Sequence, residues 1–212
     1  MKFEFMTIDT PLPPCMPFPR VLTGFPISST AKVMYCRMLD AMLSKGQEDE
    51  NGILFVCFPI TAIAAALSRS PMTVKRSLSE LETAGLIMRV RQGVGEPNQM
   101  NFEFMTIDTP LPPCMPFPRA LLGFPVSSTA KVMYCRMLDA MLSDGQEDEN
   151  GILFVCFPVA AIAAALSRST MTVKRSLNEL ETAGLIMRVR RSIGEPNRIY
   201  VLIPGEDDEV PS

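Results

Sequence analysis

Residues 68–87 read SRSPMTVKRSLSELETAGLI, and residues 167–186 read SRSTMTVKRSLNELETAGLI. The recurrence is not local. A shift of about 99 positions lays residues 3–101 on residues 102–200 without a gap and with about 14 differences, and a repeat on this scale constrains the architecture before any other pattern does. Units of about 20–50 residues bury their apolar faces only by stacking on neighbours. A period near 100 residues lets each copy close its own core, and 47% hydrophobic residues in a chain of 212 supply material for two small domains. The expected division is residues 1–104 and residues 105–212.

Each copy spells the same series of elements. Residues 10–20, TPLPPCMPFPR, hold five prolines; fixed φ and missing N–H groups predict an extended arm, with residues 106–119 as the matching linker arm of the second copy. The stretch SSTAKVMYCRMLDAMLSKG offers serine caps, then Ala31, Met34, Tyr35, Met38 and Met42 at helical spacing, and Gly46 as a stop. DENG predicts a turn and ILFVCF a short strand. ITAIAAAL follows as a small buried helix, and SRS as a tight turn. In the next helix Ser70 is a candidate cap, Pro71 or Thr170 takes the first position, and Gly85 suits a left-handed C-cap. Val74, Leu78 and Leu81 share its apolar face. Two alternating strands joined by GVGEPN or SIGEPN close each copy. The predicted fold is α+β, mainly α: two tandem winged helix-turn-helix domains forming a pseudo-dimer.

Composition excludes several function classes. The chain has no histidine, and its six cysteines form no CxxC pair, so neither a metal site nor any other cofactor is expected. Cys36 and Cys57 read as small buried hydrophobes in a reducing cytosol, with Cys15 in an exposed arm. No nucleophile elbow or phosphate loop is present, so no enzyme is expected. The sequence shows no secretion signal and no apolar stretch long enough for a bilayer, which predicts a cytoplasmic protein without a membrane partner.

Net charge is −3 and pI about 5.2, so no global basic signal marks nucleic acid. Charge is polarised nonetheless. The stretch from residue 68 to 101 carries an excess of about +2, and that from 167 to 203 about +4. Acidic residues gather in GQEDENG and in the tail at 205–212.

The segments SSTAKVMYCRMLDAML, DENGILFVCFPITAIAAALSRSPMTVKRSLSELETAGLI and RQGVGEPN resemble the N-terminal domain of the replication initiator A proteins of Gram-positive plasmids and integrative elements. The resemblance spans about residues 19–101 and 118–202. It implies a winged-helix domain that recognises repeated origin sequences, often as a dimer.

The helix wheel supplies candidate contacts. Turned away from the apolar face are Met72, Arg76 and Ser79, and in the second copy Met171, Arg175 and Asn178, which are the candidates for reading bases. Arg69, Ser70, Thr73 and Lys75, with Arg168, Ser169, Thr172 and Lys174, suit phosphates, which position a protein without reading sequence. Arg89 and Arg91, then Arg188, Arg190, Arg191 and Arg198, belong to the expected wings. The expected partner is double-stranded DNA with two similar half-sites, in replication initiation or transcription control. A protein-interaction module of a mobile element is the alternative.

Overall fold

The structure, a computed structural model, describes residues 3–90, 99–102, 105–106, 108–189 and 197–204. It divides into two compact units, Met16–Cys114 and Met1–Cys15 with Met115–Ser212. In chain order the elements are β1 (Phe3–Phe5), β2 (Cys15–Pro19), α1 (Ser29–Lys45), β3 (Gln47–Glu48), β4 (Leu54–Cys57), α2 (Ile60–Ala66), α3 (Pro71–Thr83), β5 (Ile87–Val90) and β6 (Gln99–Phe102). The second copy gives β7 (Cys114–Pro118), α4 (Ser128–Asp144), β8 (Gln146–Glu147), β9 (Leu153–Cys156), α5 (Val159–Ala165), α6 (Thr170–Thr182), β10 (Ile186–Val189) and β11 (Arg198–Pro204). A single 3-10 turn precedes α1 and another precedes α4.

In the unit Met16–Cys114, α1 begins where Ser28 Oγ accepts the N–H of Ala31 at 3.2 Å. It ends at Gly46, though not through a left-handed residue: φ there is −62°. Glycine is needed for space, because a Cβ would lie 2.3 Å from the Met42 carbonyl oxygen. The antiparallel sheet runs in the order β3-β4-β6-β5, with Met100 of β6 between Val56 and Arg89. Helices α2 and α3 meet at Ser68, which takes φ +49°, and α3 is followed by Gly85 at φ +70° as the C-cap pattern predicts. Phe18, Met34, Met38, Ile63, Val74, Leu78, Leu81, Met100 and Phe102 fill the core between helices and sheet.

The other unit repeats this helix, strand, helix, helix, hairpin order, which is that of a winged helix. Its sheet has one more strand. β11 is paired with β10 and β9, and β1 adds to it antiparallel, Phe3 opposite Pro204 and Phe5 opposite Leu202. Met6, 1% exposed, follows β1 into the core, and its carbonyl accepts the N–H of Leu153 at 2.7 Å. Phe3 lies against Gly184, where a Cβ would come within 2.7 Å of the ring.

This arrangement departs from the expected division at 104/105. The first 15 residues belong with the second winged-helix body, and residues 105–114 belong with the first. The cause is local. Met105 donates its N–H to Phe102 O at 2.8 Å, and its carbonyl accepts the N–H of Leu54 at 2.7 Å. That is the place Met6 takes on Leu153, so each body is completed by the same sequence arriving by a different route.

The cysteines differ in part from expectation. Cys36 is buried, but Cys57 is exposed because β4 turns Val56 inward and Cys57 outward. Cys15 is half-buried rather than exposed, and burial pushes its thiol up to about 11. Among the described residues no cluster of three metal-ligating side chains occurs, and no helix is long and apolar enough to cross a membrane.

Candidate nucleic-acid interface

The helix that follows the tight turn is built to expose one face. Ser70 Oγ accepts the N–H of Thr73 at 3.3 Å, and Ser169 that of Thr172 at 3.2 Å, so both serines act as N-caps. The threonine hydroxyls bond back to the same serines at 3.0 and 2.9 Å. From these starts Val74, Ser77, Leu78 and Leu81, and likewise Val173, Ser176, Leu177 and Leu180, turn inward. Met72, Lys75, Arg76 and Ser79 are left on the outer face, as are Met171, Lys174, Arg175 and Asn178. Met72 and Met171 are 74% and 73% exposed, a costly position for large apolar side chains unless something covers them. The Arg76 side chain is 83% exposed and only loosely paired, 3.7 Å from Glu80.

Along each outer face lies an open groove. In the unit Met16–Cys114 it measures about 440 Å³ between Pro26, Ile27 and the Arg76–Ser79 edge of α3. In the other unit it measures about 920 Å³ between Pro125, Val126 and the Lys174–Asn178 edge of α6. The floor of each is fixed by a bond that sequence reading does not reveal. Glu80 Oε2 accepts the backbone N–H of Ser28 at 2.9 Å, and Glu179 that of Ser127 at 3.0 Å. The carboxylate thereby ties the exposed helix to the start of α1 or α4. Nothing in the local pattern marks a partner 52 residues away.

The wing residues fare differently from the helix residues. Arg89 is held by Glu82, with Nε donating at 3.0 Å, and Arg188 by Glu181 at the same distance. Both arginines are thus bound to carboxylates of the exposed helix instead of standing out as wing charges. Arg188 Nη2 also donates to Asn178 Oδ1 at 2.7 Å, whereas Ser79 bonds to the Lys75 carbonyl at 3.2 Å. Arg198 is half-buried in β11, its guanidinium 4.5 Å from the Phe154 ring centre and its Nε buried without a partner. It packs on the sheet, where Phe154 offers a face for the planar cation. Arg69 and Arg168 are half-buried at the turn. Arg91, Arg190 and Arg191 lie outside the described residues.

No curated relative matches the chain. Several solved structures are similar over a fraction of it. One, titled "N-Terminal domain of DNA binding protein", is 20% identical over 38% of this chain and 63% of its own, with a TM-score of 0.35. A second, "Structure of Rep-DNA complex", is 20% identical over 39% and 66%, with a TM-score of 0.36. A third, "Structure of MDR initiator", is 23% identical over 42% and 75%, with a TM-score of 0.37. The chain therefore spans less than two thirds of the first two. Residues 23–109 and 124–203 each match the family described as replication initiator protein A (RepA) N-terminus. The exposed helix, its capped start and its groove recur once per match, and the chain belongs to the replication initiator protein A N-terminus family, which it carries twice.

Proposed function

We propose that the chain binds duplex DNA sequence-specifically through α3 and α6, in replication initiation or transcription control of a plasmid or other mobile element. One observation carries the reading: an exposed helix face bearing Met, Lys and Arg beside an open groove, present in both units. A helix of 13 residues is about 20 Å long and fits the major groove, which is about 12 Å wide. Arg76 and Arg175 suit guanine edges and Lys75 and Lys174 suit phosphates. Met72 and Met171 offer apolar contact to thymine methyl groups, which would cover the exposed side chains.

Two such units in one chain make the second binding step intramolecular, with gains of about 10² to 10⁴ over one unit when both sites can be reached together. The matching DNA has two similar half-sites. A protein-interaction module remains the second reading, supported by the net charge of −3 and by the carboxylates that neutralise Arg89 and Arg188. Titration of labelled duplex from low to high salt separates the two. DNA binding predicts a linear fall of log affinity with log salt, and absence of any shift at low salt overturns it.

A further inference from the structure

Resting on the reading of α6 as a DNA-reading helix, we infer that Asn178 is set by Arg188 to present a hydrogen-bond donor, so that the second half-site carries guanine where free asparagine would select adenine. Asparagine reads adenine with both ends of its amide, Oδ1 accepting from N6 and Nδ2 donating to N7. In this chain Oδ1 is turned to the wing strand, where Arg188 Nη2 donates to it at 2.7 Å. Arg188 is itself oriented by Glu181, which accepts from its Nε at 3.0 Å and from its backbone N–H at 3.3 Å. The amide is therefore the end of a chain of three side chains, Glu181 to Arg188 to Asn178, on an exposed residue of α6, and with Oδ1 committed the end it has to offer is Nδ2.

A lone donor suits an edge made of acceptors. Guanine shows two in the major groove, N7 and O6, whereas adenine sets its own N6 donor beside N7. The first copy lacks the device. Arg89 is held by Glu82 in the same way, but Ser79 bonds to its own helix at the Lys75 carbonyl. The difference between Ser79 and Asn178 thus makes the two half-sites unequal at one base pair.

The test uses the full chain. Duplexes selected from a random pool give the site, and the base pair whose preference changes in Asn178→Ser is the one concerned. At that pair guanine is expected to bind about tenfold better than adenine. Asn178→Asp keeps the shape and the tie to Arg188 but replaces the donor by an acceptor, and the guanine preference should vanish. Arg188→Ala should release Oδ1 and move the preference to adenine, while Arg89→Ala leaves the first half-site's preference unchanged. Melting temperatures identify any variant that fails to fold, and Asn178→Asp then decides. Adenine preferred by the unaltered chain, or guanine still preferred in Asn178→Asp, overturns the inference with DNA binding intact. Failure to select any duplex overturns the DNA reading itself.

Discussion

Single side chains divide into those exposed on the outer helix face and those that are buried. Arg76 and Arg175 are in the first group, so their loss should cost recognition without costing the fold. Each change to alanine is expected to weaken binding to the selected site by about 1–3 kcal/mol and relax one base position, whereas Lys75→Ala or Lys174→Ala should weaken all sequences alike. Titrations on specific and scrambled duplex measure both. Asn101 belongs to the second group. It is buried with an unpartnered Oδ1, and the corresponding Tyr200 packs on Phe154 and donates to Asp148 at 3.1 Å. Asn101→Tyr should remove that orphan and give Asp49 the same partner, raising stability by about 1–2 kcal/mol in denaturant unfolding. The basic outer face was legible in the sequence, because helical periodicity assigns each residue a direction. The fates of Arg89, Arg188 and Arg198 were not, since pairing with Glu82 and Glu181 or stacking on Phe154 depends on where a strand passes a helix.

Among the elements, boundaries followed local chemistry closely. Capping serines, the proline at the start of α3 and Gly85 mark termini by mechanisms that need no tertiary context. Gly46 shows the limit of such reading: it stops α1 as expected, but for the nearness of the Met42 carbonyl and not for a positive φ. Gly46→Ala should therefore destabilise clearly. Gly24→Ala, with nothing within 4 Å of a new Cβ, should stay within about 0.5 kcal/mol; thermal melts compare them. The bond from Glu80 to the Ser28 N–H joins α3 to α1. Glu80→Ala strands that donor, costing about 1–2 kcal/mol of stability. It also loosens the groove, so affinity for every duplex should fall along with the melting temperature.

At the scale of the molecule, the repeat announced two domains but not how the arms are shared between them. Residues 3–15 and 102–114 are identical in sequence, so nothing in the letters says which body each completes. Removing residues 3–6 should strip β1 from β11 and lower hydrogen-exchange protection in β11 and β9, leaving β4 and β6 unchanged. The same sharing sets an order of construction. All of Met16–Cys114 is one uninterrupted stretch, able to close while later residues are still being synthesised. The other unit joins residues 1–15 to residues 115–212, across a separation that costs little free energy but slows closure. Until then the edge of β11 is an unpaired template, and a neighbouring nascent chain carries the same fifteen residues. Chains translated close together on one message have the means to trade residues 3–15, and slower initiation of translation should raise the yield of self-closed monomers on size-exclusion chromatography.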